Sequence, residues 1–246
     1  MVICLSKTCI VEHSDALLVT DIQKDFLPGG ALPVVGGNEI IPVLNEYIVR
    51  FLQANAYVLA SRDWHPPNHA SIKAQGGLWP PHCVQNSDGA EFSPNLKLPA
   101  HTVVISKATD PNHEAYSAFD GTNLADDLRM RGVKRLFVGG LATDYCVVNT
   151  VLDACKLGFE TAVLMDATLG INVKPGDVDR AVEVMLKNGA QQVTVDDFPD
   201  AVDSLPIEET EPDALSERPS QRADVKKKAR MRSKGPNKRI RTERKG

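Results

Sequence analysis

The chain has 246 residues, of which 42% are hydrophobic and 24% charged, and its formal net charge at pH 7 is −4. No apolar run approaches the roughly 18 residues of a membrane-spanning helix, and the amino terminus has neither the charged region nor the long apolar region of a signal peptide. The five cysteines lack the spacing of a disulfide framework, which favours a reducing compartment. These features predict an intracellular, cytoplasmic protein with no membrane partner.

The small net charge conceals two parts of opposite sign. Residues 222–246 contain twelve Lys and Arg residues and two acids, whereas residues 196–213 contain eight acids and no base. Such runs predict a disordered acidic-then-basic extension over residues 206–246, behind one globular domain over residues 1–205. Three interpretations of the basic run stay open: a nuclear localisation signal that binds an import receptor, a binding site for a polyanion, or a solubilising extension.

Apolar runs and helical periodicity alternate along the first 200 residues. Strands are predicted at 16–21, 57–60, 103–105, 136–138, 161–164 and 192–195. Helices are predicted at 38–55, 124–130, 147–157 and 178–186, with Pro42 tolerated only near a helix start. Alternating strands and helices predict an α/β fold with right-handed crossovers, in which a mainly parallel β-sheet carries helices on both faces.

Several of the predicted strands end at polar residues that can carry chemistry. Asp21, Asp63, Lys107 and Cys146 each lie at or just beyond the carboxyl end of a different strand. Ligands of parallel α/β sheets bind outside these ends. We therefore expect the four side chains to meet on one rim, although each alone is compatible with a cap, a surface base or a turn.

Cys146 is the candidate nucleophile. It follows Gly139-Gly140 and falls in the first turn of the next predicted helix, with Thr143 or Asp144 as the N-cap. The helix dipole and free backbone N–H groups there favour the thiolate. The alternative is an ordinary cysteine of the core.

A metal site is indicated by Asp63, His65 and His82. Asp63 and His65 are two residues apart on an extended segment, so their side chains share one side, and His82 follows the rigid Pro80-Pro81 pair. One carboxylate and two imidazoles suit Zn²⁺, Fe²⁺ or Mn²⁺. His69 is a weaker candidate for a further ligand or pocket residue, and the neighbouring Cys83 is discounted. The alternative is that these histidines only close a loop by hydrogen bonds.

Six blocks of the sequence resemble, in order and spacing, those of the nicotinamidase (pyrazinamidase) family within the isochorismatase-like cysteine hydrolases. They are VTDIQKDF at 19–26, SRDWHP at 61–66, WPPHCV at 79–84, KATDP at 107–111, YSAF at 116–119 and GLATDYCV at 140–147. The resemblance covers about residues 14–200. The Asp, Lys and Cys blocks indicate the superfamily, and the Asp-x-His and Trp-Pro-Pro-His blocks narrow it to nicotinamidases.

The resemblance implies an isochorismatase-like, Rossmann-type three-layer sandwich and assigns roles to named residues. It implies a catalytic triad of Asp21, Lys107 and Cys146, and an oxyanion hole made by the N–H groups of Ala142 and Cys146 after a cis peptide bond. The family often has glycine after the catalytic lysine, where this chain has Ala108. The remaining implied roles are metal ligation by Asp63, His65 and His82, and a substrate ring pocket lined by Phe26, Trp79 and Tyr116.

The activity implied by the resemblance is hydrolysis of nicotinamide to nicotinate and ammonia, and of pyrazinamide, through a cysteine thioester. This activity would serve NAD salvage (pyridine nucleotide biosynthesis). The enzyme would use one divalent metal ion, with zinc preferred over Fe²⁺ or Mn²⁺. The resemblance does not decide whether the protein forms a homo-oligomer. One alternative is another amidohydrolase of the superfamily, such as an N-carbamoyl amide hydrolase, which would rarely need the metal trio. The other is a silent binding protein, which would be expected to have lost Cys146 or Lys107.

Overall fold

The computed structural model describes residues 8–199. The predicted extension over residues 206–246 lies outside the described residues. A parallel β-sheet of six strands forms the centre, in the order β3-β2-β1-β4-β5-β6. Its strands are β1 (Asp15–Thr20), β2 (Tyr57–Asp63), β3 (Val103–Lys107), β4 (Arg135–Leu141), β5 (Glu160–Leu169) and β6 (Gln191–Val193). The predicted parallel sheet is confirmed.

Four α-helices cover this sheet in the described part of the chain: α1 (Ile41–Gln53), α2 (Leu124–Met130), α3 (Val148–Lys156) and α4 (Asp177–Lys187). One buried cluster joins α1 to one face of the sheet, and a second joins the other three helices to the opposite face. This arrangement confirms the three layers. Pro42 stands in the first turn of α1, where its missing N–H costs nothing. None of the helices in residues 8–199 is long and apolar enough to span a bilayer.

Strands β2 to β5 reach further toward their carboxyl ends than the apolar pattern predicts, whereas β1 and β6 end before their predicted ends, at Thr20 and Val193. β2 and β3 continue to Asp63 and Lys107, which are paired in register. Apolar runs stop before these residues because the last positions of each strand face a polar site rather than a helix.

The strand order reverses at β1, which lies between β2 and β4. At such a switch point the connections leave in opposite directions and open a crevice beyond the carboxyl ends. β4 approaches β1 closely there: Gly140 has φ of 122°, and a Cβ on it would lie 2.0 Å from the carbonyl oxygen of Thr20. Glycine at this position therefore lets the two strands that border the crevice stay paired to their ends.

Candidate active site

Asp21 is the first residue beyond β1 and is fully buried, with a left-handed backbone of φ 51°. One carboxylate oxygen accepts a hydrogen bond from Ser61 Oγ at 2.7 Å, and the other lies 3.0 Å from Lys107 Nζ. Burial raises the pKa of the Asp21 carboxyl, and the ammonium of Lys107 only partly offsets this rise. The carboxylate is therefore a stronger proton acceptor than that of an exposed aspartate.

Lys107 ends β3 with its side chain completely buried among polar partners. Its Nζ contacts a carboxylate oxygen of Asp63 and lies 3.3 Å from Sγ of Cys146. Burial alone would lower the pKa of this lysine, but the carboxylates of Asp21 and Asp63 outweigh burial and hold it well above its usual value. Lys107 is an ammonium that touches two acids and a thiol.

Cys146 lies on a single turn of π-helix, Thr143–Val147, between β4 and α3. The N–H of Val147 donates to the carbonyl of Ala142, five residues earlier, at 3.1 Å. Burial raises the pKa of the Cys146 thiol well above its usual value, since the lowering by Lys107 is opposed by Asp21 and Asp63. The helix terminus, which by itself favours the thiolate, is therefore not the dominant influence on this thiol. The thiol keeps its proton because burial and two carboxylates outweigh one ammonium and the end of a helix.

The expected N-cap is wrong, because neither Thr143 nor Asp144 caps the turn through its side chain. Ala142 holds the N-cap position, with no side-chain hydrogen bond. Thr143 Oγ1 instead pairs with Thr168 Oγ1 at 2.8 Å, and the Asp144 carboxylate accepts the N–H of Ile171 at 2.9 Å. Both side chains thus tie the cysteine turn to β5 and the loop that follows it.

The peptide bond between Leu141 and Ala142 is cis, as the sequence resemblance implies. Ala142 and Cys146 border the same small cavity. The carbonyl of Ala142 accepts hydrogen bonds from the N–H groups of Tyr145 and Val147, at 3.0 and 3.1 Å. The carbonyl is thus turned into the helical turn. The oxyanion role of the two N–H groups stays a prediction.

Asp63, His65 and His82 are all buried, and each offers a ligand atom within 4.8 Å of the others. His65 Nδ1 lies 3.0 Å from the carbonyl of His82, and His82 Nδ1 lies 2.8 Å from the carbonyl of Pro80. A carbonyl can only accept, so both Nδ1 atoms carry a proton, and in the neutral form of each ring Nε2 presents the lone pair. This tautomer suits metal ligation.

The environment of His65 reinforces that fit. Its Nε2 is buried without a hydrogen-bond partner among residues 8–199 and lies 3.9 Å from a carboxylate oxygen of Asp63. Burial lowers the pKa of His65 to about 4, so the ring is neutral at physiological pH. An orphaned buried nitrogen beside a carboxylate is what a divalent cation would satisfy. The donor set of the three residues therefore fits a metal ion.

His69 adjoins this group, and a ligand atom of its ring lies within 4.8 Å of one from His65 and one from Glu114, so its role as a further ligand stays a prediction. Its ring stacks on that of His65 with centroids 4.4 Å apart. Its Nε2 lies 3.0 Å from the carbonyl of His113, and its Nδ1 lies 2.8 Å from Ser71 Oγ. Both ring nitrogens are occupied. Cys83 is buried in the core, where burial raises its thiol pKa, in keeping with its dismissal as a ligand.

A cavity connects the Cys146 thiol to Asp63 and His82. With His65, these two residues form the candidate metal-binding set, called the metal-type group below. The cavity is lined by Phe26, Leu32, Asp63, Trp79, His82, Tyr116, Ala142, Tyr145, Cys146 and Ile171. The predicted ring-pocket residues Phe26, Trp79 and Tyr116 are all among them. The indole Nε1 of Trp79 donates a hydrogen bond to the Tyr116 hydroxyl at 3.1 Å, which fixes these two lining side chains relative to each other.

Sequence reasoning missed Ser61 and three residues of the cavity wall. Leu32, Tyr145 and Ile171 border the cavity, and the ring of Tyr145 packs on that of Trp79 with centroids 5.1 Å apart. Tyr145 could have been found from its place beside Cys146. Leu32 and Ile171 come from loops without a motif, and only the folded chain brings them here.

Known proteins resemble this chain over the whole described domain. The isochorismatase domain family matches residues 15–197. The nicotinamidase of Escherichia coli K12 is 40% identical in an alignment of 204 positions that covers 74% of this chain and 96% of that protein.

Solved structures agree with the fold. A pyrazinamidase of Pyrococcus horikoshii, in complex with zinc, is 54% identical with a TM-score of 0.71, covering 74% of this chain and 99% of that one. The protein PnC1 from L. infantum, in complex with nicotinate, is 34% identical with a TM-score of 0.71, covering 78% of this chain and 98% of that one. The chain therefore belongs to the isochorismatase family, among its nicotinamidases and pyrazinamidases.

Proposed function

We propose that this amide hydrolase is a nicotinamidase, which converts nicotinamide to nicotinate and ammonia and also accepts pyrazinamide. The observation that carries the proposal is the single cavity that holds the Cys146 thiol beside Asp63 and His82 of the metal-type group. A small aromatic amide needs both ends of such a cavity, one for the carboxamide and one for the ring. The nicotinamidase and pyrazinamidase relatives support the same substrate class.

The thiol becomes a nucleophile only when it loses its proton, and Asp21 is the base. A carboxylate oxygen of Asp21 and Sγ of Cys146 lie within 4.8 Å of each other, and both groups contact Lys107. Because burial raises the pKa of Asp21, it can take the thiol proton at the moment of attack. Lys107, 3.3 Å from Sγ, stabilises the thiolate so formed.

The thiolate sulfur then bonds to the carboxamide carbon. The C–N bond breaks as Asp21 returns the proton to the departing ammonia, leaving a thioester on Cys146. Water attacks the thioester carbon and gives its proton to Asp21, the C–S bond breaks, and the thiol is restored with nicotinate released. Lys107 keeps a positive charge beside Asp21 throughout, which favours its return to the carboxylate after each transfer.

The tetrahedral intermediate needs donors for its oxyanion. The N–H groups of Ala142 and Cys146 are proposed for this role, since both residues border the cavity where the carboxamide must lie. Phe26, Trp79 and Tyr116, together with Tyr145, are proposed to enclose the aromatic ring.

A divalent metal ion is proposed at Asp63, His65 and His82, with zinc as the first choice. Neutral imidazoles and one carboxylate are preferred zinc ligands that leave an open position. When bound, the ion supplies a Lewis-acidic position that can hold the ring nitrogen and so orient the carboxamide toward Cys146.

Neither alternative function is favoured. An N-carbamoyl amide hydrolase would keep the triad but would rarely need the buried trio of metal-type ligands. A silent binding protein would have no use for an intact Asp21–Lys107–Cys146 cluster, which this chain keeps with short contacts.

The test is ammonia release from nicotinamide by the purified full chain, with its metal content measured. Cys146→Ala should abolish turnover, whereas Cys155→Ala, near the carboxyl end of α3 and outside the cavity lining, should retain it. Retention of roughly a tenth or more of the wild-type kcat by Cys146→Ala would sink the covalent mechanism, given that nucleophile removal costs orders of magnitude.

For residues 206–246 we propose an extension separate from the hydrolase domain of residues 1–205. Its basic run is proposed to bind an import receptor or a polyanion, which would add nuclear localisation to a cytoplasmic enzyme. A chain that ends at Leu205 should keep kcat/KM for nicotinamide and lose retention on a heparin matrix. A large loss of activity at equal folded fraction would contradict this division.

A further inference from the structure

Gln23, two residues beyond Asp21, is a fully buried side chain that no step above uses. Its Oε1 accepts the N–H of Asp63 at 2.8 Å, and its Nε2 donates to the carbonyl of Asp63 at 2.7 Å. The second proton of Nε2 goes to the carbonyl of Ala90 at 2.9 Å. Both donors of the amide and its oxygen are therefore engaged, and two of the three bonds go to one residue.

These hydrogen bonds take the place of the backbone bonds that β1 would make to Asp63 if the two strands stayed paired that far. The pairing of β1 with β2 ends at Thr20 and Ser61, followed by one bond from the N–H of Asp21 to the carbonyl of Ser61 at 3.1 Å. Asp63 lies beyond that point and pairs only with β3, through Lys107. The side-chain amide of Gln23 supplies to Asp63 the donor and the acceptor that a neighbouring strand would otherwise provide.

The position of Asp63 matters because its two carboxylate oxygens face different partners. One oxygen contacts the ammonium of Lys107, and the other lies 3.9 Å from Nε2 of His65. A carboxylate shared in this way tolerates little movement of its own backbone. We propose that Gln23 is a positioning residue, whose amide fixes the Asp63 backbone so that one carboxylate serves Lys107 and a divalent ion together.

This inference rests on the proposed metal site, and its test does not require turnover. Gln23→Met is nearly isosteric and makes none of the three bonds, and Gln23→Asn keeps an amide that is one methylene too short. The matched control is Asn45→Leu. The Asn45 amide, on α1, likewise clamps a backbone segment, with Nδ2 donating to the carbonyl of Asn95 at 2.9 Å and Oδ1 accepting the N–H of Lys97 at 2.8 Å.

The measurement is Co²⁺ and Zn²⁺ affinity of the metal-free full-length protein, by equilibrium titration below the melting temperature of every variant. Gln23→Met should weaken binding by about 10- to 100-fold and alter the Co²⁺ absorption bands, as loss of a group that orients a ligand does. Gln23→Asn should fall between wild type and Gln23→Met, and Asn45→Leu should bind like wild type.

Unchanged affinity and Co²⁺ spectrum in both Gln23 variants would overturn the proposal. So would an equal loss in Asn45→Leu, because the effect would then reflect general loosening of the fold. Should Gln23→Met fail to fold, Gln23→Asn decides between the same outcomes. A wild-type protein that binds metal but leaves nicotinamide intact would refute the proposed activity and not the role of Gln23.

Discussion

Lys107 on β3 is paired in register with Asp63 on β2, and the ammonium of the first contacts the carboxylate of the second. Both side chains are buried at the carboxyl edge of the sheet. This ion pair joins the two halves of the site, because Asp63 also belongs to the metal-type group and Lys107 also lies against Asp21 and Cys146. The Lys107–Asp63 ion pair therefore links the residues proposed to activate the Cys146 thiol to the residues proposed to position the substrate ring.

Replacement of Lys107 by Met should damage both stability and activity. Two buried carboxylates would lose their cation, and removing one partner of a buried ion pair costs about 3–5 kcal/mol. Urea unfolding measures the loss of stability, and kcat at saturating nicotinamide measures the loss of thiolate stabilisation. Lys187→Met provides the control, since that lysine pairs with Glu183 on an exposed helix surface and should change the free energy of unfolding by less than about 1 kcal/mol. Equal stability of the two variants would contradict the buried charge balance described above.

Asp21→Asn should lower kcat by about two to four orders of magnitude, because an amide cannot shuttle the proton between Cys146 and ammonia. Ser61→Ala removes the hydrogen bond to the Asp21 carboxylate and should cause a smaller fall in kcat. Ser106→Ala, which removes a hydroxyl bonded to Arg62 on the neighbouring strand, should behave like wild type. Steady-state kinetics with nicotinamide distinguishes the three. An Asp21→Asn variant within tenfold of wild type would assign the proton transfer to another group.

Ala108→Gly should stabilise the protein. Ala108 has φ of 52°, in the left-handed region that a side chain disfavours. Relief of that strain, about 1–2 kcal/mol, exceeds the entropy that glycine adds to the unfolded chain, about 0.5–1 kcal/mol. Thermal unfolding should therefore show a higher Tm. In Ala154→Gly, within α3, glycine should lower the Tm, because a helical alanine gains nothing from the change. A lower Tm in both would show that the Ala108 methyl contributes packing that outweighs its strain.

If a metal ion holds the ring nitrogen, the rate of hydrolysis should depend on whether the substrate ring has a nitrogen at the right position. Nicotinamide and pyrazinamide carry a nitrogen meta to the carboxamide-bearing carbon and should be hydrolysed well, whereas benzamide offers a C–H there and should be poor. His82→Ala should lower kcat/KM for nicotinamide by about two orders of magnitude, the range found when metal ligation is loosened. The same change should affect slow benzamide hydrolysis much less.

Kinetics of wild type and His82→Ala with nicotinamide and benzamide test this pattern. The exposed His101 supplies the control, and His101→Ala should match wild type with both amides. Removal of the metal by a chelator should reproduce the His82→Ala pattern in the wild type, and added Zn²⁺ should reverse it. Benzamide turnover equal to that of nicotinamide in the metal-loaded wild type would show that the ion does not position the ring.

Much of this site could be predicted because strand ends are local features of the sequence. The apolar runs before Asp21, Lys107 and Cys146 mark buried parallel strands, and parallel strands bring their carboxyl ends to one edge. The two-residue spacing of Asp63 and His65 likewise fixes their common side without knowledge of the fold. These are consequences of chain geometry over a few residues, and the structure brings all of them together as expected.

Other properties depended on the tertiary structure because they are set by residues far apart in the chain. The protonated resting state of Cys146 follows from its burial beside Asp21 and Asp63, which lie 125 and 83 positions away in the printed sequence. The free Nε2 of His65 follows from a hydrogen bond to the carbonyl of His82, and Gln23 reaches Asp63 only where β1 and β2 part. Local pattern can place a side chain on the rim of a sheet. Desolvation, tautomer and the exact partner of a buried group depend on which distant atoms fill the space around it, and only the folded chain decides that.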